Sequence, residues 1–523
     1  MFGRIREAIF GGSKPAAAPR SPARKSTPDR GPRSSFDAAK TTADNAGHWL
    51  GADGNGPNAS LSPDVRAKLR YRSRYERDNN CYLGGLIEGR AAETIGTGPR
   101  LQLTLPESWT DPDFNTTLNA DPQRKPNPAR EIELKWADHC DAIGLTDILT
   151  LADETETTDG EVFLVAFANP AISPDGTAPM LDVKLYESDQ CANPDARWGD
   201  PLQQDGIEFD SYGNPIGYYF LQSHPGESMW NMDYTAERID AGRVFHFFKR
   251  RRPAAAHGIP GTTPALPLGS KMRRFTDATL SAAEVQALIA AVLTNENTMG
   301  PTDGAESPSV EAMDTVNFAR AQLLTLYAGQ DVKTITPAQP GPSYREFKGE
   351  VLTECGRAIG APRNVSTGSS AEYNYSSGRL DQQGYHRSIK IRRDRIRRII
   401  LDRLFRLWLE EAALIPGYLP ADLPPTNLWR WTWRWDGFAS IDPLKDANAA
   451  KVRKESGLTT MERECGETGD DWEEVIEQQA RERKKCLELG LPDPYATKAA
   501  APAAAPASDP AADPVSEEAA NAA

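Results

Sequence analysis

The spacing of hydrophobic residues predicts one long helix in the last third of the chain. From residue 379 to about residue 413, apolar residues recur every three or four positions, which is typical of an amphipathic helix. The apolar stripe consists of Ile389, Ile396, Ile400, Leu404 and Leu407, widened by Phe405, Trp408 and Leu409. Such a helix would be roughly 50 Å long. We expect residues 374–378 to form a polar turn in front of it.

The opposite face of this helix is strongly basic. It carries Arg387, Lys390, Arg392, Arg393, Arg395, Arg397, Arg398, Arg403 and Arg406. Two interpretations are open. Either the face is solvated or pairs with acidic side chains of a neighbouring subunit, or it lies beside nucleic acid, where arginine contacts phosphate without reading sequence.

The patterns before residue 250 predict an α+β domain. Helices are expected at 62–93, 130–142 and 148–153. Alternating or continuous apolar runs predict strands at 101–105, 161–167, 181–186 and 244–248, together with a hairpin at 206–221.

After residue 267 the chain has a more helical character. Helices are expected at 271–294, 318–326 and 343–359, with a short strand at 332–335. Tryptophan alternates strictly at 429–435, which predicts a strand whose tryptophan face covers a core, with base stacking as the alternative. Residues 442–489 have the pattern of charged helices. Composition predicts that 13–35 and 496–523 are unstructured.

Overall charge and cysteine usage narrow the classes of protein. The chain has 523 residues and a formal net charge of −14. An acidic protein that handles DNA is better suited to letting it slide past than to gripping it.

The six cysteines are scattered without CxxC spacing, which indicates reduced thiols. No run of about eighteen apolar residues occurs, so we expect no membrane span, and the N-terminus lacks the pattern of a secretory peptide.

The motifs of common active sites are missing from the sequence. It contains no P-loop, HExxH or GxSxG motif, and its six histidines never fall at metal-ligand spacing. An acidic cluster at 470–474 is interpreted as a solvated helix face. We therefore expect no catalytic site, no metal and no cofactor.

A series of short motifs occurs in a fixed order along the chain. They are Phe36-Asp37-Ala38-Ala39, Arg72-Ser73-Arg74, Arg77-Asp78-Asn79-Asn80-Cys81-Tyr82, Asp159-Gly160-Glu161-Val162-Phe163, Gly206-Ile207-Glu208, Gly360-Ala361-Pro362, Asn374-Tyr375-Ser376-Ser377-Gly378-Arg379, Gly457-Leu458-Thr459-Thr460, Glu464-Cys465, Gly469-Asp470-Asp471 and Glu477-Gln478-Gln479. Together, over about residues 36–492, they resemble the lambda-like portal protein family of tailed phages. The chain departs from that family where an Arg-Pro-Gly-Gln-like turn is usual, because Arg252-Pro253 is followed here by alanines and His257-Gly258.

The resemblance implies an α+β, portal-type fold with named segments. These are a disordered arm (1–35), an α+β wing (36–267), a first stem helix (268–296), a clip (297–342), a second stem helix (343–360), a tunnel loop (361–378), a long helix with the tryptophan strand (379–441), a helical crown (442–492) and a disordered tail (493–523).

The resemblance also implies a function without catalysis. It implies a ring, usually of twelve copies, at one capsid vertex of the virion, assembled in the host bacterial cytoplasm. The implied partners are further copies of the chain, double-stranded DNA passing without sequence preference, the terminase large subunit, the major capsid or scaffold protein, and the head–tail connector protein. The candidates for facing DNA in the channel are Asn374, Tyr375, Ser376, Ser377 and Arg379. The alternatives are a nonspecific DNA-binding or DNA-processing protein that uses the basic residues at 387–398, and another capsid or adaptor protein.

Overall fold

The computed structural model describes residues 43, 45–52, 54–106, 128–194, 202–227, 235–288, 291–295, 330–334, 343–371, 373–420, 423–440 and 442–495. The chain divides into two compact units, Met1–Ser60 and Leu61–Ala523. In the first unit, the described residues form turns and one short helix, α1 (Pro57–Ser60). The segments predicted to be unstructured at 13–35 and 496–523, and the helix predicted at 318–326, lie outside the described residues.

The second unit combines helices with small antiparallel sheets, as the patterns predict. Its helices are α2 (Pro63–Asn79), α3 (Cys81–Ile95), α4 (Pro128–Ile143), α5 (Leu145–Asp159), α6 (Leu266–Leu288), α7 (Ser343–Arg357), α8 (Arg363–Thr367), α9 (Tyr375–Ile396), α10 (Asp402–Ala412), α11 (Pro443–Glu455), α12 (Met461–Thr468) and α13 (Trp472–Glu488). Among the described helices, none is long and apolar enough to span a bilayer.

The strands pair into four sheets in the described part of the chain. They are β1 (Arg100–Thr104), β2 (Glu161–Ala168), β3 (Leu181–Tyr186), β4 (Gln203–Gln204), β5 (Ile207–Phe209), β6 (Pro215–Leu221), β7 (Ala236–Asp240), β8 (Val244–Phe248), β9 (Ala291–Asn295), β10 (Gln330–Thr334) and β11 (Arg430–Arg434). The sheet orders are β1–β11, β10–β9, β3–β2–β8 and β4–β5–β6–β7.

Strand β2 is buried on both faces, which explains its continuous apolar sequence. Val162, Leu164 and Ala166 belong to the largest hydrophobic core, together with Ile396, Ile400 and Leu404 of the long helix. Phe163 and Val165 point to the other face, where they pack with residues of β5 and β6. One strand therefore joins the two largest cores of the unit.

The helix predicted at 62–93 is interrupted at Asn80. This residue has an extended backbone, with φ −123° and ψ 101°, and its side chain accepts hydrogen bonds from the backbone N–H groups of Tyr82 and Leu83. Asparagine competes with helical hydrogen bonding in this way, which starts a second helix instead of continuing the first.

The helix predicted at 271–294 is too long at its C-terminal end. The helix α6 ends at Leu288, and Ala291–Asn295 is a strand that pairs antiparallel with Gln330–Thr334. A short run such as Ala-Val-Leu-Thr fits a helix or a strand, and the partner strand decides between them. The strand expected at 332–335 is confirmed for 332–334 by β10, and the helix expected at 343–359 is confirmed for 343–357 by α7.

The long helix runs from Tyr375 to Ala412, counting α9, a π-helical turn at Arg397–Leu401, and α10. The predicted polar turn at 374–378 is wrong, because Asn374 caps the helix and the next residues form its first turn. The Asn374 side chain accepts from Ser377 N–H at 2.8 Å, and Ser377 Oγ accepts from Asn374 N–H at 3.2 Å. This reciprocal pair is a capping box.

Candidate functional site

The apolar stripe of the long helix lies in the core, as its periodicity predicts. Ile396, Ile400, Leu404, Phe405 and Trp408 are each at most 1% exposed. The tryptophan strand β11 packs on the same core through Trp433 and pairs with β1, so its core-covering role is confirmed. Trp433 therefore cannot stack on a base, because its ring is buried in the core.

Part of the basic face is buried inside the chain. Arg392 is 8% exposed, its Nε donates to the Asp153 carboxylate, and its Nη2 lies 2.7 Å from Glu156 Oε2. Arg395 Nη2 lies 3.4 Å from Glu156 Oε1. Both carboxylates belong to α5, so these arginines fasten the long helix to that helix.

Mutual stabilisation keeps these buried groups charged. Burial by itself lowers the pKa of Arg392, but the carboxylates of Glu156 and Asp153 outweigh burial and raise this pKa overall. Burial likewise raises the pKa of Glu156, but Arg392, Arg395 and Arg90 lower it below its ordinary value. Opposite charges at short range have this effect on both partners.

Arg393 is also buried, and it caps backbone groups. Its guanidinium donates to the carbonyl oxygens of Thr94 (2.8 Å), Asp436 (2.8 Å) and Glu93 (3.0 Å). The C-terminal end of α3 supplies two of these carbonyls, which have no helical partner of their own. Arg393 therefore joins α3 to the segment that follows β11.

The remaining basic residues lie nearer the surface. Arg397 and Arg398 both pair with Asp394, at 2.8 and 3.0 Å. Arg403 donates to Ala241 O at 2.7 Å, and Arg406 lies 5.6 Å from the Trp431 ring centroid. Lys390 lies 5.9 Å from the Phe438 ring centroid. Within the described part of the chain, the Arg387 side chain has neither an ion pair nor a hydrogen bond and is exposed. The predicted basic face is thus divided between interior and surface.

The residues proposed to face DNA lie together at the start of the long helix. Asn374, Tyr375, Ser376 and Ser377 are exposed. Arg379 is partly buried, and its Nη2 lies 3.3 Å from Asp446 Oδ1 on α11. The exposed surface at this helix end is therefore polar, while the one nearby cation among these five residues already has an acidic partner.

A buried polar cluster around Glu161 was missed at the sequence level. The Glu161 side chain is fully buried and accepts from His257 Nδ1 (3.0 Å), His246 Nε2 (3.0 Å), Gly258 N (2.9 Å) and Arg66 Nη1 (3.1 Å). These groups come from α2, β2, β8 and the loop before α6. Two of the donors, His257 and Gly258, lie where the sequence departs from the turn that is usual in the family. That departure was the one feature of the sequence that could have indicated this cluster.

The charges in this cluster follow from its surroundings. Burial raises the pKa of Glu161, but His257 and His246 outweigh burial and hold this pKa well below its usual range. Burial lowers the pKa of both histidines. Glu161 is therefore a buried carboxylate, and Arg66, 3.1 Å away, carries a compensating positive charge.

One group of potential metal ligands already holds cations from the protein. Glu187, Asp189 and His224 bring three ligand atoms together. Arg74 Nη2 lies 2.7 Å from Glu187 Oε2 and 2.8 Å from Asp189 Oδ2, while Arg70 Nη2 lies 2.7 Å from Asp189 Oδ1. The guanidinium groups occupy the positions that a metal ion would need, so we assign no metal here.

Comparison with known proteins identifies the same family that the series of short motifs resembles. Residues 45–393 match the sequence profile of the family described as phage portal protein, lambda family. The chain belongs to the lambda family of phage portal proteins. It is 22% identical to portal protein B of Escherichia phage lambda, over 71% of this chain and 76% of that protein. It is 23% identical to the portal protein of Escherichia phage N15, over 57% of this chain but only 61% of that protein's length.

A solved structure is also similar to this portal family member. It is a chain from the neck of a native gene transfer agent particle, with 12% identity and a TM-score of 0.36. The match covers 83% of this chain and 95% of that chain.

Proposed function

We propose that this chain assembles into a ring, of about twelve copies, at one capsid vertex and forms the channel through which DNA is packaged and ejected. The observation that carries the proposal is the match of residues 45–393 to the lambda family of portal proteins. As a member of that family, the chain is a component of the phage virion. The ring, the DNA channel and the absence of catalysis are what we propose for this particular chain.

The arrangement of α6 and α7 supports the stem and clip assignments. Met272 of α6 packs with Val351 and Leu352 of α7. Beyond the ends of these helices, β9 and β10 pair with each other, with Ala291 opposite Thr334. We propose that residues 297–342, which include β10, form the clip that contacts the terminase large subunit and later the head–tail connector protein.

The start of the long helix has the character of a surface past which DNA slides. Four of the five proposed channel residues are exposed and uncharged, and the fifth, Arg379, is already paired with Asp446. A wall with many free cations would hold phosphate groups and slow the passage of DNA. We propose that α11, α12 and α13 form the crown towards the capsid interior, near the major capsid or scaffold protein.

The alternative, a DNA-binding or DNA-processing protein that uses the basic residues at 387–398, has less support. Arg392 and Arg393 bind carboxylates and carbonyls of their own chain, and Arg395 contacts Glu156. Moving Arg392 and Arg395 away to contact phosphate would leave the buried Asp153 and Glu156 with less counter-charge, and moving Arg393 would leave carbonyl groups without their donor.

Native mass and end-on electron microscopy of the purified full-length chain, without DNA, test the proposal. We expect rings of about a dozen copies with a central hole wide enough for duplex DNA. A protein that stays monomeric at high concentration, with and without scaffold protein, would contradict the proposed function.

A further inference from the structure

An exposed stripe on the long helix has mixed character. Leu380, Gly384, Arg387, Ile391 and Arg398 lie within about 60° of one another around α9 and its extension, at roughly 100° per residue. Leu380 is 70% exposed and Ile391 is 67% exposed. We call these five residues the 380–398 stripe. Exposed apolar side chains beside an arginine, a residue enriched at protein interfaces, fit contact with a protein, whereas contacts to the DNA backbone come mostly from polar and cationic groups.

Gly384 leaves room for another protein to approach this stripe closely. A Cβ atom at this position would meet nothing within 4 Å in the subunit. Glycine inside a helix is unfavourable compared with alanine, and no contact with another described residue requires it here. A helical glycine on an open surface permits close approach by a partner.

The charges of the stripe also fit a protein partner better than DNA. Arg398 is already paired with Asp394, an acidic residue on the same side of the helix. Arg387 is the one member of the 380–398 stripe whose charge has no partner among the described residues. One free cation between two exposed aliphatic side chains would attract phosphate weakly, but it would pair well with a single carboxylate.

A complementary stripe lies on another helix of the same chain. On α4, Leu134 is 50% exposed, and Asp138 and Asp141 are also exposed. The three positions lie within about 60° around the helix. Neither carboxylate has an ion pair among the described residues. We call these three residues the 134–141 stripe, which is aliphatic and acidic where the 380–398 stripe is aliphatic and basic.

We propose that the 380–398 stripe is a subunit interface that binds the 134–141 stripe of a second copy of this chain. The contact joins two different patches, which is the type of contact that closes a ring. This inference rests on the proposed function and names the partner of the basic face. It assigns Arg387 to a neighbouring subunit and not to DNA.

Charge reversal on each side of the contact tests the pairing. Native mass is measured over a range of concentrations for the full-length wild type, Arg387→Glu, Asp138→Arg and the double variant. We expect each single variant to need at least tenfold more protein for assembly, and the double variant to return to within a few-fold of wild type. Arg72→Glu, at an exposed helical arginine, is the matched control and should assemble normally.

The outcomes separate this inference from the proposed function. If the wild type forms no ring, the proposed function fails and the inference fails with it. If the wild type forms rings and the single variants assemble equally well, the inference alone is overturned. It is also overturned if the double variant does not recover, or if Arg387→Ala rings assemble normally but bind duplex DNA less tightly with a shallower salt dependence. Circular dichroism and unfolding midpoints show whether each variant is folded.

Discussion

At the scale of single residues, burial decides what each arginine of the long helix does. Arg392 and Arg387 are five positions apart on one helix, and sequence analysis assigned both to the same basic face. Arg392 is 8% exposed and pairs with carboxylates of α5, whereas Arg387 is exposed and has no such partner in the part of the chain that the structure describes. Their contributions to the stability of the subunit should therefore differ greatly.

We expect Arg392→Ala to lower the free energy of unfolding by about 3–5 kcal/mol, because it removes the cation paired with the buried Asp153 and the nearest of the cations around the buried Glu156. Arg387→Ala, the matched control on the same helix, should change it by less than about 0.5 kcal/mol. Denaturant unfolding of both variants, under conditions that keep the chain monomeric, measures the difference. Similar losses in the two variants would contradict this division of the basic face.

The Glu161 cluster predicts a second large effect on stability. Glu161→Gln removes the carboxylate that compensates Arg66 and accepts from two histidines, and we expect a loss of about 3 kcal/mol. Glu208→Gln is the control, because Glu208 pairs with Arg238 nearer the surface, where such a pair contributes about 0–1 kcal/mol. Denaturant midpoints at pH 7 compare them, and a small effect at Glu161 would show that the cluster is not held together by its charge.

His139 makes the stability of the subunit depend on pH. Burial lowers the pKa of His139 from 6.5 to about 4. The unfolded chain takes up this proton near pH 6.5 while the folded chain stays neutral, so stability falls as pH falls from 6.5 to 4. The full effect is about 3 kcal/mol, from about 1.4 kcal/mol per pH unit.

Replacing this histidine should flatten that pH dependence. His139 packs beside Trp136 and Trp408, so His139→Phe suits its surroundings. Between pH 7 and pH 4, we expect the free energy of unfolding to fall by about 3 kcal/mol more in the wild type than in His139→Phe. Parallel curves for the two proteins would mean that folding does not shift the pKa of this imidazole.

At the scale of elements, hydrophobic periodicity predicted most of the helices and strands. It did not predict the ends of those elements whose length depends on contacts with other parts of the chain. The stripe from Ile389 to Leu409 was predictable because helical spacing is a local property. Which arginines of the helix are buried beside carboxylates was not predictable, because the carboxylates that pair with Arg392 lie on α5, more than two hundred positions away in the sequence. The strand at Ala291–Asn295 depends on its partner in the same way. The π-helical turn has no clear sequence signal either.

The open position of Gly384 leads to a prediction for the long helix. Gly384→Ala should raise the stability of the monomeric subunit by about 0.5–1 kcal/mol, because alanine is the better helix former and nothing obstructs its Cβ. The same change should weaken assembly if a second copy packs closely there. Gly89→Ala, at another open helical glycine, is the control. Denaturant unfolding measures the stability, and native mass measures the assembly. If Gly384→Ala increased both the stability and the assembly, close packing at Gly384 would be contradicted.

At the scale of the whole molecule, the uncharged start of the long helix should give the assembled ring little affinity for DNA. Ser376→Lys would place one new cation per subunit at this surface, so we expect tighter duplex binding and a steeper fall of affinity with salt. Tyr212→Lys, at a turn where the residue is 90% exposed, should change neither by a comparable amount. Salt titrations of binding measure both, and equal responses would contradict a DNA-facing role for Ser376.

The pairing of β1 with β11 joins residues about 330 positions apart in the chain. A ribosome adds roughly 5–20 residues per second, so β1 waits on the order of 15–65 s after its own synthesis before its partner strand exists. During that time Leu101 and Leu103 have no Trp433 or Trp431 to cover them, and β1 offers an unpaired edge to other nascent chains. The yield of soluble protein should therefore respond to translation speed and to chaperones that shield exposed strands.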